Sequence, residues 1–381
     1  MAPALELVLT FAAFLGHFSI AVWLFNRLHA VALPRRAIKL LEKLLLLVAA
    51  AVVLVFLARW AMTGHGLFDS GPWWLGYAVF CWLVVLAAIP NWLVPKLRER
   101  IPEALLSNDT AQVDVVQRLG FRPVHGLETR LFASFPGNQL LQIAIQRKTL
   151  RLPSLPRELD GLTIAHLSDL HMTGKIGREY YDLVVDETNA LDADLVVITG
   201  DILEKERCLS WIAPTLGRLR ARLGRYFILG NHELRLADVQ PLRQALVSAG
   251  IADLGSRTAF LTINGVEILV AGNELPWFGE APMMPRSTPR FRILLSHSPD
   301  QLPLAKQQGF DLMLAGHNHG GQIRLPLIGA LITPSLYGCR YAGGLYDEPP
   351  TLLHVSRGLG GVHPIRLNCS PELALLILKA A

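Results

Sequence analysis

Five short apolar runs in this chain end on residues that can hold metals. Asp169 and His171 follow the run at 162–167, and Asp201 follows Gly200 after the run at 195–198. Asn231, His232 and Glu233 follow 226–229, His297 follows 292–295, and His317 and His319 follow 312–315. Carboxylates, an amide oxygen and imidazoles form a mixed N/O donor set suited to divalent Mn, Fe or Zn. Singly each is weak. A strand-end Asp or Asn is commonly a turn or cap residue, and a lone His such as His297 is commonly packed or solvated. Five clusters, each behind an apolar run, exceed what turn chemistry needs. Ligands in α/β proteins gather at the carboxyl ends of strands. Asp169 and His171 are two apart, so strand alternation is expected to aim them the same way.

The elements that must position these residues read as strands separated by helices. The run Leu195-Val196-Val197-Ile198 is wholly apolar, the mark of a strand covered on both faces. Helical spacing is expected over 180–190, 209–222 and 239–249, and Asn264-Gly265 marks a hairpin. Two edge strands are expected at 141–145 and 148–152, and further strands at 352–355 and 373–378. Alternation followed by a hairpin-rich half predicts an α/β architecture of two packed mixed sheets with helices outside.

The first hundred residues differ. The chain of 381 residues is 51% hydrophobic, with a mean hydropathy of +0.36, and the excess is concentrated there. Three transmembrane helices are expected at 4–25, 41–60 and 73–94 within a membrane region 1–95, two spans being the alternative. A cleaved signal peptide is disfavoured for the first, because it lacks a basic start and further apolar segments follow. Trp73, Trp74 and Trp92 read as interfacial anchors. Arg27, Arg35, Arg36 and Lys39 flank one side, as do Lys96, Arg98 and Arg100, so the large C-terminal part is expected in the cytoplasm, at an inner membrane. Residues 96–138 read as a juxtamembrane connector, with short helices at 102–106 and 111–119 and a short strand at 132–135.

The net charge of +5 suits anionic lipid or phosphate-bearing substrates. The basic residues are scattered and form no nucleic-acid strip, so no nucleic-acid partner is expected. Cys81, Cys208, Cys339 and Cys369 form no CxxC pair, which disfavours a zinc knuckle or redox motif.

The ordered motifs Asp-x-His, Gly-Asp, Gly-Asn-His-Glu, a lone His and Gly-His-x-His over 139–381 resemble the calcineurin-like metallophosphoesterase family. The resemblance implies a four-layer αββα sandwich around two divalent metal ions. It implies Asp169, His171 and His319 on the first metal, Asn231, His297 and His317 on the second, and Asp201 between them. It further implies attack on phosphorus by a hydroxide shared by the two ions, with His232 stabilising the transition state or protonating the leaving oxygen. An orienting role is the alternative for His232. The protein-phosphatase motif Gly-Asp-x-x-Asp-Arg-Gly is absent, because Asp201 is followed by Ile202-Leu203-Glu204-Lys205-Glu206. Gly316 to Gln322 with Arg324-Leu325-Pro326, and Ser356 to Gly360, are similar to the membrane-associated bacterial branch that includes UDP-2,3-diacylglucosamine pyrophosphatases.

The substrate expected on these grounds is a lipid-linked phosphate ester or an acylated sugar nucleotide. Soluble nucleotides are the alternative within the enzyme class, and a membrane scaffold with a structural metal site lies outside it. The apolar stretch 323–337 directly follows His319 and reads as a greasy loop or as core. Trp277, Phe278, Met283 and Met284 read as a second apolar lip. Arg324, Arg340 and Arg357 are candidate phosphate contacts.

Overall fold

The computed structural model describes residues 3–97, 101–285, 289–361 and 363–381. Its chain divides into two compact units, Met1–Arg100 and Ile101–Ala381.

The first unit is three helices, α1 (Pro3–Leu28), α2 (Arg35–Thr63) and α3 (Pro72–Leu97). Each is long and apolar enough to cross a membrane. Their leucines and valines stay largely exposed, as a lipid-facing surface requires. His17, which interrupts the first apolar run, turns inward. Its Nδ1 lies 2.6 Å from the Tyr77 hydroxyl and its Nε2 2.9 Å from the Ala49 carbonyl, so one polar side chain ties three helices. Arg98 and Arg100, used above for orientation, lie outside the described residues.

The second unit has two main sheets. The strands of the first are β1 (Leu105–Asp114), β2 (Gln142–Leu152), β3 (Thr163–Leu167), β4 (Leu195–Thr199), β5 (Gly224–Ile228) and β6 (Ala252–Asp253). Next come β7 (Thr258–Ile263), β8 (Val266–Asn273), β9 (Phe291–Ser296) and β10 (Leu312–Ala315) of the second sheet. A two-stranded β11 (Arg324–Leu325) and β12 (Gly329–Ala330) follows, then β13 (Gly344–Glu348), β14 (Thr351–Val355) and β15 (Glu372–Ala380). The sheet orders are β1-β2-β15-β3-β4-β5-β6 and β13-β14-β10-β9-β8-β7.

Alternation along the strands builds three cores. Leu195 and Val197 meet Ile293, Leu295, Leu312 and Leu314 between the sheets. Val196 and Ile198 face the other way, toward Tyr180, Val184 and Leu242 of the helices α6 (Arg178–Asn189) and α7 (Gln240–Ser248). Leu294 and Met313 face Leu302 and Ala305 of α8 (Leu302–Gln307). Helix, sheet, sheet and helix make the four layers expected from the motifs. The hairpin at Asn264-Gly265 forms with both residues at positive φ, 51° and 80°, as a two-residue turn between right-twisted strands requires.

Several local expectations are corrected. The stretch 101–138 belongs to the second unit and supplies an outer strand. β1 pairs antiparallel with β2 through to Asp114, whose side chain then accepts from Gln117 N at 2.9 Å and starts the short α4 (Val115–Leu119). The exposed edge of β2 therefore outcompetes helical spacing at 111–114. Residues 132–135 are not a strand, and α5 (Leu127–Ala133) ends there. The pair expected at 141–145 and 148–152 is one continuous strand, held between β1 and β15 rather than at an edge. The expected helix at 209–222 is two 3₁₀ turns, Glu206–Trp211 and Leu216–Arg218. Pro214 between them lacks the N–H a helix needs.

Candidate metal centre

The seven residues proposed as ligands converge beyond the carboxyl ends of β3, β4, β5, β9 and β10. Asp169, His171, Asp201 and His319 offer donor atoms within 4.8 Å of one another, and so do Asp201, His297 and His317. His171 Nε2 lies 3.0 Å from His319 Nε2 and 3.5 Å from Asp201 Oδ2, and His319 Nε2 lies 3.5 Å from Asp169 Oδ1. In the second group His297 Nε2 is 3.1 Å from Asn231 Oδ1, 3.2 Å from His317 Nδ1 and 3.3 Å from Asp201 Oδ2. Asp201 is thus common to both groups.

The backbone carries the cost of this convergence. Asp169, His171, Asp201, His317 and His319 all sit at positive φ, between 48° and 70°. Left-handed backbone in a non-glycine residue costs on the order of 1 kcal/mol and persists only where the surroundings over-determine it. Here they do. Asp169 N donates to Gly200 O at 3.0 Å, and His171 N to Asp201 O at 2.8 Å. His317 N donates to the Asp169 carboxylate at 3.1 Å. Asp169 and His171 therefore aim together because of a turn beyond the strand end, not because of strand alternation, since β3 stops at Leu167. At Gly200, φ is 88° and an added Cβ would strike the Gly230 backbone and the His297 ring. Only glycine lets the Asp201 and Asn231 loops approach so closely.

Two buried carboxylates that the sequence reading gave no role hold the loops. Glu233 accepts from the backbone N–H groups of Gly230, Asp201, Ile202 and Leu203 at 2.6–3.1 Å. Burial and then the neighbouring Asp201 charge push it up to about 7, against the pull of those donors. Glu204 takes His171 Nδ1 at 2.6 Å and His232 Nδ1 at 2.8 Å on one oxygen and pairs with Arg235 on the other. Burial opposes its charge, yet the two imidazole hydrogen bonds hold Glu204 far below the ordinary carboxylate range. The only available signal was its place three residues after Asp201. Arg366, wholly buried, points a guanidinium nitrogen to 3.4 Å from His319 Nδ1.

His232 stands over the first group, its ring edge-on to His171 at 4.5 Å. Glu204 takes its Nδ1, which leaves Nε2 at the site, 3.9 Å from Asp201 Oδ2. Trp277, expected on an apolar lip, instead packs its ring 4.9 Å from His317 and 5.4 Å from His297. Met283 is exposed, whereas Met284 packs on the third core.

The three arginines sort differently. Arg357 runs beside Gly320, adjacent to His319, and gives its Nε to Glu372 at 2.9 Å. Arg324 Nη1 lies 3.4 Å from Gly320 O. Arg340 pairs with Glu348 at 2.7 Å and stacks on Tyr341, away from the ligands.

Asp201 Oδ2 tests the fit of a metal pair. It is buried and accepts no hydrogen bond, while Oδ1 accepts from His232 N at 2.8 Å. A buried carboxylate oxygen without a partner is costly unless a cation satisfies it. Burial opposes charge on both Asp201 and His297. Even so, His297 and His232 hold Asp201 well below its usual range, and Asp201 holds His297 up at about 9. Burial and the neighbouring imidazoles hold His317 and His319 well below the ordinary range, in the neutral form that can bind a cation.

A family profile for calcineurin-like phosphoesterases matches residues 162–321, and a relative in Bacillus subtilis (strain 168), the uncharacterised metallophosphoesterase YkuE, is 31% identical over 241 residues, 61% of this chain and 84% of that protein. The chain belongs to the calcineurin-like metallophosphoesterases. As a phosphoesterase of this family it is a hydrolase, and the cluster above is its candidate site for the divalent metals the family uses. A Bos taurus "transmembrane protein with metallophosphoesterase domain" is 30% identical over 296 residues, 71% of this chain and 65% of that one. "Phosphodiesterase YaeI" of Escherichia coli (strain K12) is 28% identical over 220 residues, 56% of this chain and 81% of that one. With three apolar helices ahead of its catalytic unit, this phosphoesterase is membrane-associated.

Proposed function

We propose that this membrane-associated phosphoesterase hydrolyses a phosphodiester or pyrophosphate bond with two divalent ions. Asp169, His171 and His319 would hold one, Asn231, His297 and His317 the other, and Asp201 both. The observation that carries the reading is Asp201 Oδ2, buried, without a hydrogen bond, and within reach of both imidazole groups. Such ions supply Lewis-acid charge to the phosphoryl oxygens and make water a stronger nucleophile at neutral pH. The protein's own part is positioning and proton transfer. Glu204 fixes the His171 and His232 rings through Nδ1, and Glu233 fixes the loop from Asp201 to Leu203. With Nδ1–H held by Glu204, His232 would act as the doubly protonated imidazolium, taking its second proton from water and passing it from Nε2 to the leaving oxygen as the bond to phosphorus breaks. Chelation should abolish hydrolysis of bis-p-nitrophenyl phosphate, and Mn, Fe or Zn should restore it. Full turnover by metal-stripped protein would overturn the reading.

The finer substrate reading is a lipid-linked phosphate ester or an acylated sugar nucleotide. The apolar segment that follows His319 and the membrane helices support it, and likeness to the E. coli phosphodiesterase YaeI supports the phosphodiester class. Lipid extracts incubated with the protein and read by mass spectrometry test it, and turnover of soluble nucleotides alone would refute it. Arg27, Arg35, Arg36 and Lys39, with Lys96, Arg98 and Arg100, support a catalytic unit on the cytoplasmic face of an inner membrane. A fluorescent protein fused at the C-terminus should therefore be bright, and an exported-phosphatase fusion inactive. The opposite pattern would invert the topology.

A further inference from the structure

Two exposed apolar segments flank the metal centre, and one strip of chain joins them. The first is α5 and the turn after it. Leu127 and Leu131, four apart and so on one side of the helix, are 75% and 65% exposed, and Phe135 is 51% exposed. The second follows His319, where Leu327, Ile332 and Leu336 are 89%, 49% and 47% exposed. The strip 364–369 runs between them. On one side the Asn138 amide donates to Phe132 O at 2.7 Å and Pro364 O at 2.9 Å, and Gln139 N donates to Arg366 O at 2.7 Å. On the other, Leu367 N donates to Gln322 O at 3.0 Å and Arg324 N to Leu367 O at 2.9 Å. Arg366 at the centre of the strip reaches His319. Both segments are thus tied by hydrogen bonds to the strip whose Arg366 reaches His319, and they are the apolar parts of the rim on that side.

We propose that this rim is an interfacial docking face that seats in an anionic lipid headgroup layer and holds the mouth of the site at the bilayer surface. Apolar side chains clustered and exposed in each of the two segments mark an interaction surface rather than ordinary solvated surface. Three considerations select lipid. Only residues 98–100 separate the end of α3 from the second unit, a span of at most about 14 Å when extended, so a bilayer is always within reach of this unit. Between Asp311 and Asp347 the chain has no acidic residue and two basic ones, Arg324 beside the site and Arg340, which pairs with Glu348, while Asp300 accepts from Leu336 N at 2.8 Å. Arg122 and Arg130 flank the first segment, which has Glu128 as its single acid. Apolar side chains with basic neighbours are the composition of surfaces that lie in the headgroup region. The proposal stands whichever ester is hydrolysed.

The test uses the full chain in nanodiscs of phosphatidylethanolamine and phosphatidylglycerol. Spin labels are placed singly by Leu131→Cys, Leu327→Cys and Val247→Cys in a Cys339→Ser background, the other native cysteines being buried. Val247, on α7, is 52% exposed and serves as the aqueous control. Labels at 131 and 327 should gain oxygen accessibility over nickel-chelate accessibility, at a depth of about 5–10 Å, and the label at 247 should not. A label at Phe135→Cys should lose that signature when Leu131→Asp and Leu327→Asp are added. Water-like accessibility at 131 and 327, in protein that still hydrolyses bis-p-nitrophenyl phosphate, would overturn the proposal. So would dipolar broadening between copies, which would make the face a self-association surface. Seated labels on protein with no esterase activity would uphold docking and sink the reading of the metal site instead.

Discussion

Asp201→Ala should cost this enzyme both metals and lower kcat/KM on bis-p-nitrophenyl phosphate by about 10³-fold or more. Ions stabilise several kcal/mol of charge in a phosphoryl-transfer transition state, and each 1.4 kcal/mol is about tenfold in rate. Among the described residues Asp201 is the carboxylate common to both imidazole groups, at 3.5 Å from His171 Nε2 and 3.3 Å from His297 Nε2. Asp169→Ala removes a ligand of the first group and only a backbone acceptor, that of His317 N, from the second, and should leave one metal per chain, more weakly held, with equally little activity. The fold should survive both changes. Asp201→Ala orphans one backbone donor, His232 N, at a cost of about 1–3 kcal/mol, and also removes a buried charge. Metal counts by elemental analysis, with circular dichroism as the fold control, decide the matter. Two metals retained by active Asp201→Ala would refute the shared role.

His232→Ala should lower kcat by about 10²–10⁴-fold while both metals stay bound. The reason is geometric. Glu204 occupies Nδ1, so Nε2 alone faces the site, and no proposed ligand depends on the His232 ring. Proton donation matters most for a poor leaving group. The loss should therefore be larger on an alkyl or sugar phosphodiester than on a nitrophenyl ester, whose leaving oxygen needs little help. Equal losses on both substrates, with metal lost as well, would make His232 a positioning residue instead. Glu204→Gln supplies an independent arm. It removes the negative charge that the His171 and His232 N–H groups share and the oxygen that pairs with Arg235, and should cost about 10–100-fold, with weaker metal affinity.

The residue types, their order and their places after apolar runs were legible in the sequence, because strand patterning and turn chemistry are local. The three long apolar helices were legible for the same reason. The four layers followed from strand-helix alternation and from strands apolar on both faces, such as 195–198. Where a local pattern competed with a distant partner, the reading failed. Helical spacing at 111–114 gave way to the open edge of β2, and the helix expected at 209–222 broke at Pro214.

What only the tertiary structure decided is which atoms meet. Asp201, His171 and His297 come from three separate strand ends, and nothing local says that one carboxylate oxygen reaches both rings. Glu204 looks like an ordinary surface acid in the sequence, and Glu233 stands in the Gly-Asn-His-Glu motif with nothing local to show what it holds. They are buried because loops from β3, β4 and β5 close over them and supply four backbone N–H groups and two imidazoles. The left-handed backbone at five of the seven proposed ligands has the same origin. Such strain is unfavourable for each residue alone and holds only in the packed whole, where hydrogen bonds between distant loops outweigh it.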